Sequence, residues 1–145
     1  MVTMIEYPVD LSQDEDGRWL AVFPDIPFTA TDGATRAEAL TEAADALGAG
    51  LAQVILDNSP PPLTSPADGR ALVAPSARIA AKFALYRAMH AQGISKTELA
   101  RRLGRAETEA RRILDPKHNT GMPLLEAAFD AVGLRLILAV SDQAA

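Results

Sequence analysis

Residues Ile94 to Leu114 read ISKTELARRLGRAETEARRIL, and the periodicity of this stretch decides what the second half of the chain is. Ser95 followed by Glu98 spells a capping box, in which a hydroxyl and a carboxylate each satisfy a free backbone N–H at a helix start. Leu99, Ala100 and Leu103 then line the inner face of a short helix, and Gly104 supplies a tight turn. A second helix is expected over Glu107–Leu114, with Ala110, Ile113 and Leu114 facing inward. Asp115-Pro116 stops it, because the residue before a proline is pushed out of the helical region. The small Ala100 matters because two helices crossing steeply after a turn of about three to four residues approach closely there. The pattern predicts a helix-turn-helix. An ordinary helical hairpin has the same spacing and stays open at this point.

In the helix-turn-helix reading, the N-terminal part of the second helix enters the major groove of DNA. Thr108, Arg111 and Arg112 project from it, and an arginine pairs with guanine O6 and N7. Lys96, Arg101, Arg102, Arg105 and Lys117 hold phosphates, which fixes register without reading sequence. Glu107 and Glu109 oppose this by placing negative charge on the same helix. Affinity is therefore expected to depend on dimerisation.

On the N-terminal side of this motif, Ile79, Phe83, Tyr86 and Met89, with Ala80 and Ala84, stripe a helix that begins after Ser76 and stops before Gly93. On the C-terminal side, Leu124, Leu125, Ala128, Phe129 and Val132 stripe a last helix up to Gly133. Leu134, Leu136, Leu138 and Val140 then alternate as a closing strand. With few strands nearby in sequence, Leu134–Val140 is an apolar edge suited to pairing with a second copy. A two-fold homodimer would present two reading helices about 34 Å apart to a palindromic operator. Addition of this strand to its own domain is the alternative.

The first half has a different period. Ile5, Tyr7, Val9 and Leu11 share one parity within Val2–Leu11, which predicts a half-buried strand. The acidic run Ser12–Gly17 reads as a hairpin turn and Arg18–Phe23 as the returning strand. Pro24 and Pro27 break the chain before a third short strand over Phe28–Thr31, which Gly33 ends. Thr35 and Glu38 form another capping box ahead of a helix striped by Leu40, Ala44, Leu47, Leu51 and Val54, weakened at Gly48 and Gly50. Asp57, Asn58 and Ser59, with Pro60, Pro61 and Pro62, end that helix, and Ala71–Ala74 is a fourth strand candidate. The sum is an α+β chain. Its first unit, over residues 1–74, is β-β-β-α-β, and its second, over residues 75–145, is helical with a closing strand.

Charge follows the same division. Residues 1–74 hold 12 acidic against 3 basic side chains, and residues 75–145 hold 7 against 11. Such asymmetry implies two partners of opposite charge, nucleic acid for the second half and a basic protein for the first. With no cysteine there is no disulfide framework, thiolate metal site or cysteine nucleophile. The N-terminus lacks a basic and apolar leader, and no apolar run approaches the roughly 20 residues of a membrane span. A cytoplasmic protein without membrane contact is expected. Metal catalysis needs carboxylates converging on ions about 4 Å apart. Asp10 and Glu42 are the candidates for convergence, whereas Asp14, Glu15 and Asp16 lie in a turn and read as solvated. His90 and His118 have no nucleophile or ligand spacing around them and read as surface or capping residues. No phosphate-cradling glycine loop is present. We therefore expect no catalytic residues, no bound metal and no cofactor.

Two runs carry a family resemblance. Phe23–Ala43, FPDIPFTATDGATRAEALTEA, resembles the segment of HicB-type antitoxins in which a Pro-Asp-aliphatic-Pro turn leads through a strand and a Gly-x-Thr cap into a helix with an "EA" signature. Ser95–Gly104, continuing through Arg112-Ile113-Leu114-Asp115-Pro116-Lys117-His118, resembles the Cro and lambda-repressor class of DNA-binding module carried at the C-terminus of many members. The two together, in this order, are much more specific than either. The chain departs from the family at Phe28-Thr29, where members often carry Gly-Cys. It departs again at Arg105, a turn position that is usually apolar.

The resemblance implies a partial RNase H-like fold without the nuclease's active site, joined to a DNA-binding domain. It implies as partner a HicA-type toxin, a small basic mRNA-cleaving protein that the antitoxin covers, and repression of its own operon by the complex. A toxin that grips RNA is positive, so an acidic antitoxin is steered to it. Under this reading Asp14, Glu15, Asp16, Asp25 and Asp32 are the candidate acidic contacts, with Trp19 and Phe28 as apolar anchors. Trp19 is equally a candidate for the sheet's own core. A stand-alone transcription regulator with an N-terminal sensing domain, and a nuclease, are the competing functions.

Overall fold

A computed structural model describes residues 1–142. Strands β1 (Tyr7–Gln13), β2 (Trp19–Val22) and β3 (Ala30–Gly33) precede the long helix α1 (Arg36–Leu56), and β4 (Ala71–Val73) follows it. All pairs are antiparallel, in the order β3-β2-β1-β4. Four helices follow among the described residues: α2 (Ala77–Gln92), α3 (Lys96–Leu103), α4 (Glu107–Leu114) and α5 (Met122–Ala131). The α+β layout and the β-β-β-α-β order of the first unit are as the sequence implied.

Helix α1 lies on one face of the sheet. Its wholly buried side chains are Ala39, Ala43, Leu47 and Leu51, with Ile55 nearly so. The expected stripe is thus rotated, since Leu40, Ala44 and Val54 are only partly buried. The cause is a close approach at β3. A Cβ at Gly33 would sit 2.5 Å from the Ala39 nitrogen, so only small residues fit where the helix begins, and the large ones follow further along. By length and composition alone α1 also qualifies as a membrane span. Leu47, Leu51 and Ile55 are nonetheless buried in the core, each burial being worth about 1.5–3 kcal/mol.

Both halves share one core. Tyr7 of β1 meets Phe83 of α2 edge-on with ring centroids 6.5 Å apart. The proline-rich connector between α1 and β4 is tied down from both sides: Tyr7 donates its hydroxyl to the Pro62 carbonyl at 2.8 Å, and Tyr86 donates to the Ser59 carbonyl.

Three expectations change. The first strand starts at Tyr7, not Val2, because β4 offers partners only to Tyr7, Pro8 and Val9. Both capping boxes are one-sided: Thr35 Oγ1 accepts from the Glu38 N–H at 3.1 Å and Ser95 Oγ from the Glu98 N–H at 3.0 Å, but neither glutamate reaches back. Glu98 is drawn instead to two arginines. Finally, residues 134–142 form no strand. Leu136 packs against the core, whereas Leu134, Ile137, Leu138 and Val140 are exposed, and none of the four described strands pairs with this segment.

Candidate nucleic-acid and protein interfaces

Helices α3 and α4 are joined through Gly104, whose φ of +64° closes the turn and lets its N–H reach the Arg101 carbonyl. Leu99, Ala100, Ala110, Ile113 and Leu114 are buried between them, as their spacing implied. The polar faces point outward and carry all eight proposed DNA contacts, Lys96, Arg101, Arg102, Arg105, Thr108, Arg111, Arg112 and Lys117, with Lys96 the least exposed.

Most of these arginines are already engaged. Arg101 Nε donates to Glu98 at 2.8 Å, and Arg102 donates to Glu98 at 3.0 Å and to the Ala131 carbonyl at 2.9 Å. Arg105 pairs with Glu109 at 3.0 Å and Arg111 with Glu107 at 2.6 Å. Hydrogen bonds from Arg101 and then Arg102 hold the Glu98 carboxyl at about 2. The Arg111 guanidinium likewise lowers Glu107. Among the described residues, Lys96, Arg112 and Lys117 have no carboxylate partner. The acidic residues that counted against the motif thus act as counter-ions along a helix surface, with Arg112 left unpaired on α4.

At the other end of the molecule, the seven candidate contacts do not form one patch. Asp14, Glu15, Asp16 and Trp19 cluster at the β1–β2 turn, whereas Asp25 and Phe28 lie in the β2–β3 loop at the opposite end of β2. Asp14 is spent on its turn, accepting from the Asp16 and Arg18 N–H groups at 2.9 Å. Asp32 pairs with Arg18 at 2.9 Å, and Asp25 accepts from the Ser65 N–H and hydroxyl at 2.9 Å. Trp19 shares the parity of buried Ala21 and is itself partly buried, on the side facing α1.

Phe28 is different. It is fully exposed, at 108% of a reference side chain, and its backbone has φ +58°, a region that favours glycine. Nothing about this loop is loose. Phe23 donates its N–H to the Thr29 carbonyl at 3.0 Å, and Thr29 Oγ1 donates to the Pro27 carbonyl at 3.1 Å. Gly50 of α1 lets the loop seat closely, since a Cβ there would lie 2.8 Å from Thr29 Oγ1. The chain holds a solvated aromatic ring in a strained conformation, an arrangement that concentrates at functional positions.

A family described as HicB-like antitoxins of bacterial toxin–antitoxin systems matches residues 6–84. The chain belongs to the HicB-like antitoxin family. Its relatives include Antitoxin HicB 2 of Photorhabdus laumondii, 40% identical over 92% of this chain and 95% of that protein. Antitoxin HicB of Escherichia coli K12 is 33% identical over 92% of this chain and 98% of its own length. The family match spans the sheet, α1 and the start of α2, and the relatives extend it through α3, α4 and α5.

Two features of this HicB-like chain escaped the sequence reading. Leu20, Val22 and Leu72 are 38%, 43% and 45% exposed on the sheet face away from α1, where the register sets Val22 beside Asp10 and Leu20 beside Asp32. This face joins the two separated acidic clusters, and the alternation within Trp19–Val22 was the signal for it. The second is Lys82, which is wholly buried. It stands three residues after Ile79 and four before Tyr86, inside the apolar stripe of α2, and that position was its signal.

Proposed function

We propose that this chain neutralises a small, basic, RNA-cleaving toxin of the HicA type through its sheet unit, residues 1–74, and represses its own operon through the helix-turn-helix of residues 75–145. The observation that carries the antitoxin reading is the end-to-end similarity to chains named HicB antitoxins. On this reading the toxin docks across the β2–β3 side of the sheet. Phe28 serves as the anchor, the turn carboxylates Asp14, Glu15 and Asp16 steer a positive partner, and Asp25 and Asp32 hold the loop and strand in shape. A rigid exposed aromatic among near-neutral contacts is the usual composition of an interface hot spot. Trp19, facing α1, supports the sheet rather than the toxin.

On the operator side, α4 enters the major groove with Thr108, Arg111 and Arg112 outward, while Lys96, Arg101, Arg102, Arg105 and Lys117 lie along the phosphates. Dimerisation through Leu134–Val140 follows from the same reading: that segment is apolar, exposed and unpaired within the described chain. The chain acts as a binding protein and not as an enzyme.

Co-expression with the small basic protein encoded beside this gene is the test. A stable complex whose RNA cleavage is suppressed, together with retention of the chain's own promoter fragment, is the expected result. Promoter binding without any such complex would instead favour a stand-alone regulator.

A further inference from the structure

We propose that Lys82 is a positioning residue for α4: a buried cation that pins the end of this helix against α2 and α5, and through it sets operator fit without touching DNA. The proposal rests on the DNA-reading role given to α4 above. An ammonium has three donors and no acceptor, and burying one is costly unless every donor is used. Lys82 Nζ donates to the Arg112 carbonyl at 3.2 Å, the Ile113 carbonyl at 2.7 Å and Thr120 Oγ1 at 3.0 Å. The two carbonyls belong to the last turn of α4, where backbone acceptors run short of helical partners, Arg112 receiving the Asp115 N–H at 3.2 Å, and where a positive charge meets the negative end of the helix dipole. Thr120 immediately precedes Gly121, the N-cap of α5.

The need for such a pin is specific to α4. It is only eight residues long, its N-cap Ala106 makes no side-chain hydrogen bond, and its C-cap Asp115 is extended. The α5 cap, Gly121, makes no side-chain bond either. One lysine from α2 therefore caps the C-terminal turn of α4 and holds Thr120, the residue ahead of the α5 cap.

Charge adds a second signature. Two charged groups face the ammonium, Asp115 from the α4–α5 connection and Arg78 from the preceding turn of α2. Burial outweighs Asp115 and, with Arg78, brings Lys82 down to about 8 from its usual 10.5. Above that pH the neutral amine still donates to both carbonyls, and the Thr120 hydroxyl turns to donate to its lone pair. The contacts persist while the charge beneath the reading helix is lost. The folded protein then binds fewer protons than the unfolded chain between about 8 and 10.5, so stability rises with pH through that window.

The experiment compares the full chain with its Lys82→Met variant by backbone hydrogen exchange and by binding to operator and unrelated DNA. The variant is expected to lose about tenfold of both amide protection over residues 107–121 and preference for operator over unrelated DNA. Protection of the sheet and α1 should stay unchanged, as should affinity for unrelated DNA. Wild-type protection in α4, or loss of protection spread over the whole chain, overturns the proposal. If Lys82→Met does not fold, Thr120→Val removes one acceptor and leaves the lysine. A smaller loss confined to α4 and α5 is then expected, and none would contradict it. Absence of operator preference in the unmodified chain would refute the DNA-reading role, while the exchange pattern still judges Lys82 alone.

Discussion

At the scale of single residues, Phe28 and Glu98 carry the sharpest consequences. Phe28 occupies a left-handed backbone conformation, which costs an L-residue about 1–2 kcal/mol that glycine does not pay. Phe28→Gly should therefore leave thermal stability unchanged or raised, while weakening the toxin complex by about 2 kcal/mol, as truncation of an aromatic anchor does. Thermal denaturation and calorimetric titration check the two signs; a variant that binds as tightly as the parent removes Phe28 from the interface. Glu98 has a folded-state value of about 2, below its unfolded 4.5. The stability it contributes is present above about 4.5 and is lost as pH falls through about 2. Acid melts of the parent and of Glu98→Ala should converge toward that lower limit. The same substitution releases Arg101 and loosens Arg102, so at neutral pH DNA binding should strengthen and its salt dependence should steepen by about one to two counterions. An unchanged salt slope would mean that these arginines do not reach phosphate.

At the scale of elements, the legible parts are those where one local rule decides. Turn glycines, the serine and threonine caps and the period change after Ser76 locate the five described helices and four short strands, the start of β1 being displaced furthest, from Val2 to Tyr7. The rest depended on partners that a sequence does not display. The stripe on α1 is rotated because Gly33 lets the helix start press onto β3, a contact between segments that periodicity treats separately. The capping glutamates were read as reciprocal, yet Glu98 sits one turn before two arginines and charge-assisted bonds outcompete a cap. Charge singles out the acidic toxin candidates but not their partners, and the fold engages Asp14, Asp25 and Asp32 in its own turn, loop and strand. Leu134–Val140 has the alternation of a strand but no strand partner among the described residues, and pairing is a property of two strands. A chain ending at Gly133 should consequently run as a monomer in light scattering, with the full chain a dimer. A truncated chain that stays dimeric would assign the interface elsewhere.

At the scale of the whole molecule, the charge division becomes a spatial one. The acidic sheet unit and the basic α3–α4 face lie at different ends of a continuous core, joined by the Tyr7–Phe83 contact and a connector pinned at Ser59, Pro62 and Ser65. On the proposed function, this arrangement would let a basic protein and DNA bind without competing for a surface. The carboxylates on α4 temper the basic end by pairing its arginines, so operator binding should rest on Arg112 and on two copies acting together. Substituting Arg111 and Arg112 together by alanine in the full chain, and scoring the variant for both toxin neutralisation and operator repression in the same cells, tests this division most directly. The account predicts full neutralisation with repression lost. Loss of both functions in a protein that remains folded, or repression left intact, would contradict it.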